Sequence, residues 1–263
     1  MAGNLSSSRR RRGRKVAGLK ERIHVGATVI LEKLYRALLP ISVRTSPIVE
    51  KLKLQLLRYG WFYRTGLGHD LIYHPEYFER KVEGPAVRSA GTIASSIVND
   101  FKATCVVDVG CGTGAMLQAL HDRGCKVFGL EYAEAALEYC RARRLDVAKF
   151  NLESDVFNDG RTFDVALSME VAEHLPETAA DRYVDLLTRL SRVVVFTAAP
   201  PGQGGDDHVN EQLPSYWISK FERRGFEHAA AMSQRWRESW RAAGDVESWY
   251  YENIMIFRRV GST

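Results

Sequence analysis

The chain is poor in cysteine. It has four in 263 residues (Cys105, Cys111, Cys125 and Cys140), and no two form a C-x-x-C pair. Buried, reduced thiols are expected, which points to a reducing compartment. No apolar run approaches the roughly 18 residues of a membrane span. A secretory signal is also missing, because Arg9 to Lys15 are followed by charged residues rather than an apolar stretch. There is no internal repeat. Acidic residues are scarce at the start: residues 1–60 hold 14 Lys/Arg against Glu21, Glu32 and Glu50, a local charge of +11 within a chain of +5. The remaining residues therefore sum to −6, which excludes a globally basic nucleic-acid surface on that part. At 45% apolar and 26% charged residues, the composition is that of a globular domain. The expected location is the cytoplasm, with peripheral membrane attachment through the basic arm as the variant.

Three segments follow. Residues 1–60 read as a basic arm whose first 15 residues are disordered. Two amphipathic helices follow: Ile23, Ala27, Ile30, Leu31, Leu34 and Leu38 recur at helical spacing up to Pro40, and Ile48, Leu52, Leu56 and Leu57 do so between Pro47 and Tyr59. These helices suit packing on the domain or a dimer contact; their charges also suit RNA or an anionic membrane surface. Residues 61–102 read as a lid: an aromatic loop, 61–74, then helices over 75–83 and 85–102. Residues 103–263 alternate strand and helix, with strands at 104–109, 126–131, 145–150, 163–168, 192–198, 226–231 and 250–258. Such alternation predicts an α/β fold, a Rossmann-like, doubly wound, mostly parallel seven-stranded sheet.

The most specific stretch is Val106-Val107-Asp108-Val109-Gly110-Cys111-Gly112-Thr113-Gly114. An apolar strand runs into glycines at alternate positions, where the backbone can turn tightly and approach a ligand, and a helix opens behind it. Gly110-x-Gly112-x-x-Ala115, with Glu131 about 20 residues on, fits the relaxed dinucleotide fingerprint. The rival is the Asp-x-Gly-x-Gly-x-Gly loop of class I S-adenosylmethionine (SAM) methyltransferases, which Asp108 to Gly114 resembles closely. SAM has no phosphate and carries a sulfonium cation, so acids at the strand ends suit it better than a pyrophosphate.

Ligands of open α/β sheets sit beyond the carboxyl ends of the strands. The first strand ends in Asp108, Gly110, Cys111, Gly112 and Gly114. The second ends at Glu131, a carboxylate for the ribose hydroxyls, and Tyr132, which covers the adenine. The third ends at Asn151-Leu152, where the resemblance implies an Asp for the adenine amino group; Asn151 departs from it but still accepts through its carbonyl. The fourth ends at Ser168-Met169, and Met169 lines the methionine part. Four suitable ends in succession favour SAM, and the closing hairpin is what the resemblance implies. Arg80 and Arg88 are candidates for the SAM carboxylate.

A second stretch, Met169-Glu170-Val171-Ala172-Glu173-His174-Leu175-Pro176, is read as opening a helix over 170–190. On it Glu170, Glu173 and His174, spaced i, i+3, i+4, share one face. His208, in Gly204-Gly205-Asp206-Asp207-His208-Val209-Asn210-Glu211, follows the fifth strand at the same sheet edge. Two carboxylates and two imidazoles make a divalent-metal set. The segment resembles ubiquinone-biosynthesis O-methyltransferases and small-RNA 3′-terminal 2′-O-methyltransferases. The resemblance implies Glu170, Glu173, His174 and His208 as ligands of Mg²⁺ or Mn²⁺, which chelates two vicinal hydroxyls. A small-molecule or sugar diol, or a catechol, is then the acceptor. Without a metal, His174 or His208 is the general base. Two alternatives stand beside this: methylation of an RNA 3′ end gripped by the arm, and a methyltransferase-like binding protein without activity.

Overall fold

The computed structural model describes residues 67–261; the arm and its two expected helices lie outside them. The chain divides into two compact units at Tyr73/His74, inside the segment read as a lid. Of the first unit only α1 (Leu67–Ile72) is described, a short helix where a loop was expected. Among the described residues no helix is long and apolar enough to cross a membrane.

The second unit opens with α2 (Pro75–Tyr77), a π-helical turn (Phe78–Glu83) and α3 (Gly84–Phe101). Then come β1 (Cys105–Val109), α4 (Ala115–His121), β2 (Lys126–Glu131), α5 (Glu134–Ala142), β3 (Val147–Lys149), β4 (Val165–Met169), α6 (Ala180–Leu190), β5 (Val193–Thr197), α7 (Pro214–Glu222), β6 (Phe226–His228), α8 (Ala230–Ala243), α9 (Ser248–Asn253) and β7 (Met255–Arg259). They form one seven-stranded sheet in the order β3-β2-β1-β4-β5-β7-β6. Strands β1 to β5 pair parallel, and β7 runs antiparallel to both β5 and β6. The expected doubly wound sheet is therefore present. α9 was not foreseen; it takes the first half of the stretch read as the final strand.

The strands are apolar on both faces, as parallel strands covered on both sides must be. Alternation sends Val107, Val109, Phe128, Ala166, Val194 and Phe196 to one core with Tyr183, Leu187, Trp217 and Phe221. It sends Val106, Val165, Leu167, Val195 and Ile256 to the other with Ile93, Ile97, Leu120, Trp236 and Trp240. The indole N–H groups of Trp236 and Trp240 donate to Asp100 and to Ser96 Oγ, so both tryptophans are packing residues. All four cysteines are free thiols.

The expected helix over 170–190 is not continuous. Glu170 turns left-handed, with φ 55°, and short 3-10 turns at Ala172–His174 and Glu177–Ala179 precede α6. Leu175 stands before Pro176 and is extended, as the proline ring requires.

Candidate active site

The glycine loop leaves β1 with Gly110, Gly112 and Gly114 all at positive φ (82°, 52° and 77°). Those angles strain any residue with a Cβ. A Cβ at Gly110 would lie 2.6 Å from Val171, and one at Gly114 2.7 Å from Leu145 and 2.9 Å from Cys140 Sγ. The loop is held by its backbone. Gly110 N–H and Cys111 N–H donate to the Leu130 carbonyl at 2.8 and 3.1 Å. Glu131 accepts from the N–H groups of Gly112, Tyr132 and Ala133 at 2.8, 2.7 and 2.8 Å. Its carboxylate thus ties the loop to the end of β2 and keeps lone pairs for a further donor.

Asp108 is buried beneath the loop. Burial, with the nearby Glu131 carboxylate, pushes its pKa up to about 7. Tyr132, at the end of β2, is half-buried beside Lys149, whose Nζ lies 5.6 Å from its ring centre. Asn151 Oδ1 accepts from Glu153 N–H at 2.8 Å, so part of its acceptor capacity is spent on a local turn. Leu152 and Met169 are half-buried against the two cores. Arg88 is exposed and pairs with Glu247. Arg80 is exposed as well.

The second part lies at the ends of β4 and β5. Glu170, Glu173 and His174 do not share one helix face, because the left-handed turn at Glu170 separates it from the 3-10 turn that carries the other two. Glu173, His174 and His208 nonetheless meet, with one potential ligand atom from each lying within 4.8 Å of the others. The loop after β5 folds back because Val209 and Asn210 N–H both donate to the Glu173 carbonyl, at 2.9 and 3.0 Å. His208 Nδ1 is 2.9 Å from Glu211, which also accepts from Gly202 and Gly204 N–H at 2.8 Å each. The hydrogen bond from His208 is the main reason the Glu211 carboxyl titrates low. His174 Nδ1 lies 3.3 Å from the Asp207 carbonyl. With Nδ1 of His208 donating to Glu211, Nε2 is the ring nitrogen left with a lone pair. A Cβ at Gly205 would fall 2.2 Å from that Nε2, so only glycine leaves room for the ring.

Glu173 has no exposed surface, and neither carboxylate oxygen has a hydrogen-bond partner among the described residues. Burial and the adjacent Glu170 carboxylate push its pKa well up; the backbone N–H groups of Glu173 and Ala199 lie near enough to offset this in part without completing a hydrogen bond. Glu170 is bound differently, accepting from Gln203 Nε2 at 2.9 Å and Asn253 Nδ2 at 3.1 Å. A buried, unpartnered carboxylate beside two imidazoles fits a divalent cation, which supplies the missing positive charge. Sequence reasoning missed Gln203 and Asn253, the two amides that donate to Glu170. Only the tertiary fold brings them here, and no spacing signals them.

Residues 107–195 match the methyltransferase domain family. The seven-stranded sheet that carries this match has the class I SAM-dependent methyltransferase fold. Among curated relatives, the ubiquinone biosynthesis O-methyltransferase of Methylococcus capsulatus is 36% identical over 119 residues, which is 43% of this chain and 46% of that protein. The one from Idiomarina loihiensis is 33% identical over 81 residues, 28% of this chain and 33% of its own length. The match thus spans less than half the length of either relative. Among solved structures, Streptomyces venezuelae DesVI superposes with a TM-score of 0.53 at 16% identity, covering 73% of this chain and 98% of its own. SAM-bound CalS10, an amino pentose methyltransferase from Micromonospora echinaspora, gives 0.50 at 18% identity, covering 65% and 92%. Both share the fold of this domain.

Proposed function

We propose that this chain is a SAM-dependent O-methyltransferase acting on a small acceptor with vicinal hydroxyls, a sugar diol or a catechol, and assisted by a divalent cation. The observation that carries the reading is Glu173, a buried carboxylate without partners, set between His174 and His208 at the sheet edge that also bears the glycine loop. The O-methyltransferase names of the curated relatives support the reaction class.

In this reading Gly110, Cys111, Gly112 and Gly114 give a backbone that a ligand can approach closely. Glu131 takes the ribose hydroxyls, Tyr132, Asn151 and Leu152 surround the adenine, and Met169 and Asp108 line the methionine end. SAM, when bound, supplies a methyl group on a sulfonium, which leaves as a cation equivalent for an oxygen in line with it. Glu173, His174 and His208 hold the cation, with Glu170 beside them. The cation, when bound, stabilises the negative charge that grows on an acceptor hydroxyl. His208, oriented by Glu211, is the imidazole placed to take the hydroxyl proton should the site work without a cation.

A labelled-methyl screen over catechols, sugars and RNA ends, each with and without EDTA, tests the proposal. Transfer to a vicinal diol that stops with EDTA and returns with Mg²⁺ or Mn²⁺ is expected. Full activity in EDTA removes the cation from the reading. Transfer to RNA 3′ ends alone replaces the acceptor class.

A further inference from the structure

Glu170 opens the segment that leads to the Glu173 cluster, yet its carboxylate is tied elsewhere. Gln203 Nε2 donates to its Oε2 at 2.9 Å, and Asn253 Nδ2 donates to its Oε1 at 3.1 Å. Asn253 Nδ2 also donates to Gln203 Oε1 at 2.8 Å. An amide nitrogen carries two protons, so one serves each bond and the three side chains close a ring. Its corners come from the turn after β4, the loop after β5 and the last residue of α9.

The backbone around the ring is held as firmly. Glu170 N–H donates to Thr197 Oγ1 at 2.9 Å, and its φ of 55° is one that a residue with a Cβ keeps only where its surroundings impose it. Gln203 is fixed from both sides. Its neighbours Gly202 and Gly204 donate their N–H groups to Glu211, the carboxylate that also meets His208 Nδ1. One short loop thus carries an imidazole of the cluster and an amide that ties Glu170. Among the described residues, the side chains whose ligand atoms come within 4.8 Å of one another are Glu173, His174 and His208, and Glu170 is not one of them. Its entry into that set would cost both amide bonds, which are stronger for ending on a carboxylate.

We infer that Gln203 and Asn253 are positioning residues that hold Glu170 out of the cation's ligand set, in place of the ligand role that the family resemblance implies for it. This rests on the cation-assisted reading above. A cation of octahedral preference, bound through one atom each of Glu173, His174 and His208, keeps half of its positions for the two oxygens of a vicinal diol and a water. A fourth protein ligand would take the spare position.

The test titrates the full-length chain with Mn²⁺, following free Mn²⁺ by electron paramagnetic resonance and Mn²⁺-bound water by proton relaxation. Glu173→Gln is expected to weaken Mn²⁺ binding at least about tenfold. Glu170→Gln should weaken it by no more than about threefold, the effect of losing a nearby charge at a partly exposed position. The double variant Gln203→Ala, Asn253→Ala frees Glu170, so Mn²⁺ should bind about tenfold more tightly and with one bound water fewer. Simple damage to the site would weaken binding instead. Gln203→Ala alone, at an exposed position, should move both readouts the same way if the double variant does not fold. A loss in E170Q as large as that in E173Q makes Glu170 a ligand and overturns the inference. Unchanged or weaker binding in the freed variants, with an unchanged water count, overturns it as well. A wild type that binds S-adenosylhomocysteine but not Mn²⁺ overturns the cation reading, and this role with it.

Discussion

The glycine loop and the Glu173 cluster lie on the same sheet edge but are built by opposite means. The loop is a backbone structure: its amides are bonded to Leu130 and Glu131, and its shape needs the missing side chains of three glycines. It is complete without a ligand. The cluster is a side-chain structure, two imidazoles and a buried acid whose oxygens have no protein donor. An uncompensated buried acid costs stability, and in the proposed reading a divalent cation offsets that cost. One region is held by its own backbone and the other leaves a buried acid unpaired, and each should fail in its own way when altered.

The largest effect is expected at Glu173. Glu173→Gln should lower methyl transfer by several kcal/mol of barrier, on the order of a thousandfold. The thermal midpoint of the ligand-free protein should hold or rise, because an unpaired buried acid is gone. A lowered midpoint in scanning calorimetry would make Glu173 a structural residue and break the comparison. Next is Gly112→Val, which forces a β-branched residue to φ 52°. That strain, about 1–3 kcal/mol, should cut S-adenosylhomocysteine affinity roughly ten- to a hundredfold in titration calorimetry and leave Mn²⁺ affinity alone. Gly205→Ala is the converse: its methyl meets the His208 ring, so Mn²⁺ affinity should fall about tenfold or more while cofactor affinity stays. Equal losses of both ligands in either variant would show that the two regions are one.

The smallest effect is a pH dependence beneath the loop. Asp108 has its pKa raised in the folded state to about 7. Its contribution to stability is then full below the unfolded value of about 4 and is lost as pH rises through about 7. Asp108→Asn removes that loss. Its thermal midpoint should exceed that of the wild type by a few degrees at pH 8 and match it at pH 4. A gap of the same size at both values would remove the titration from the account.

The preformed region was the more legible in sequence. Asp108 to Gly114 announce their backbone conformation, because positive φ selects glycine, and the near-continuous apolar run Val106, Val107 and Val109 announces a strand buried on both faces. The cluster was legible in composition but not in geometry. Glu170, Glu173 and His174 fit a helix by spacing, yet Pro176 forces Leu175 to be extended and Glu170 turns left-handed. That proline was visible and marked the break. His208 could be assigned to the same edge from the strand order alone. The role of Glu170 could not, since Gln203 and Asn253 come from a loop and from a helix that had been read as a strand.

Gly110 carries one further consequence. Its absent methyl would overlap Val171, one residue past Glu170 and two before Glu173. The wall of the cofactor loop and the floor of the acceptor segment are thus a single thickness of atoms. An enlarged side chain at position 171 would press on the glycine loop, the proposed seat of SAM. Redesign of acceptor preference by volume therefore has to enter from the far side, through the Gln203 and Asp206 loop, where open space borders Gly202 and Gly204.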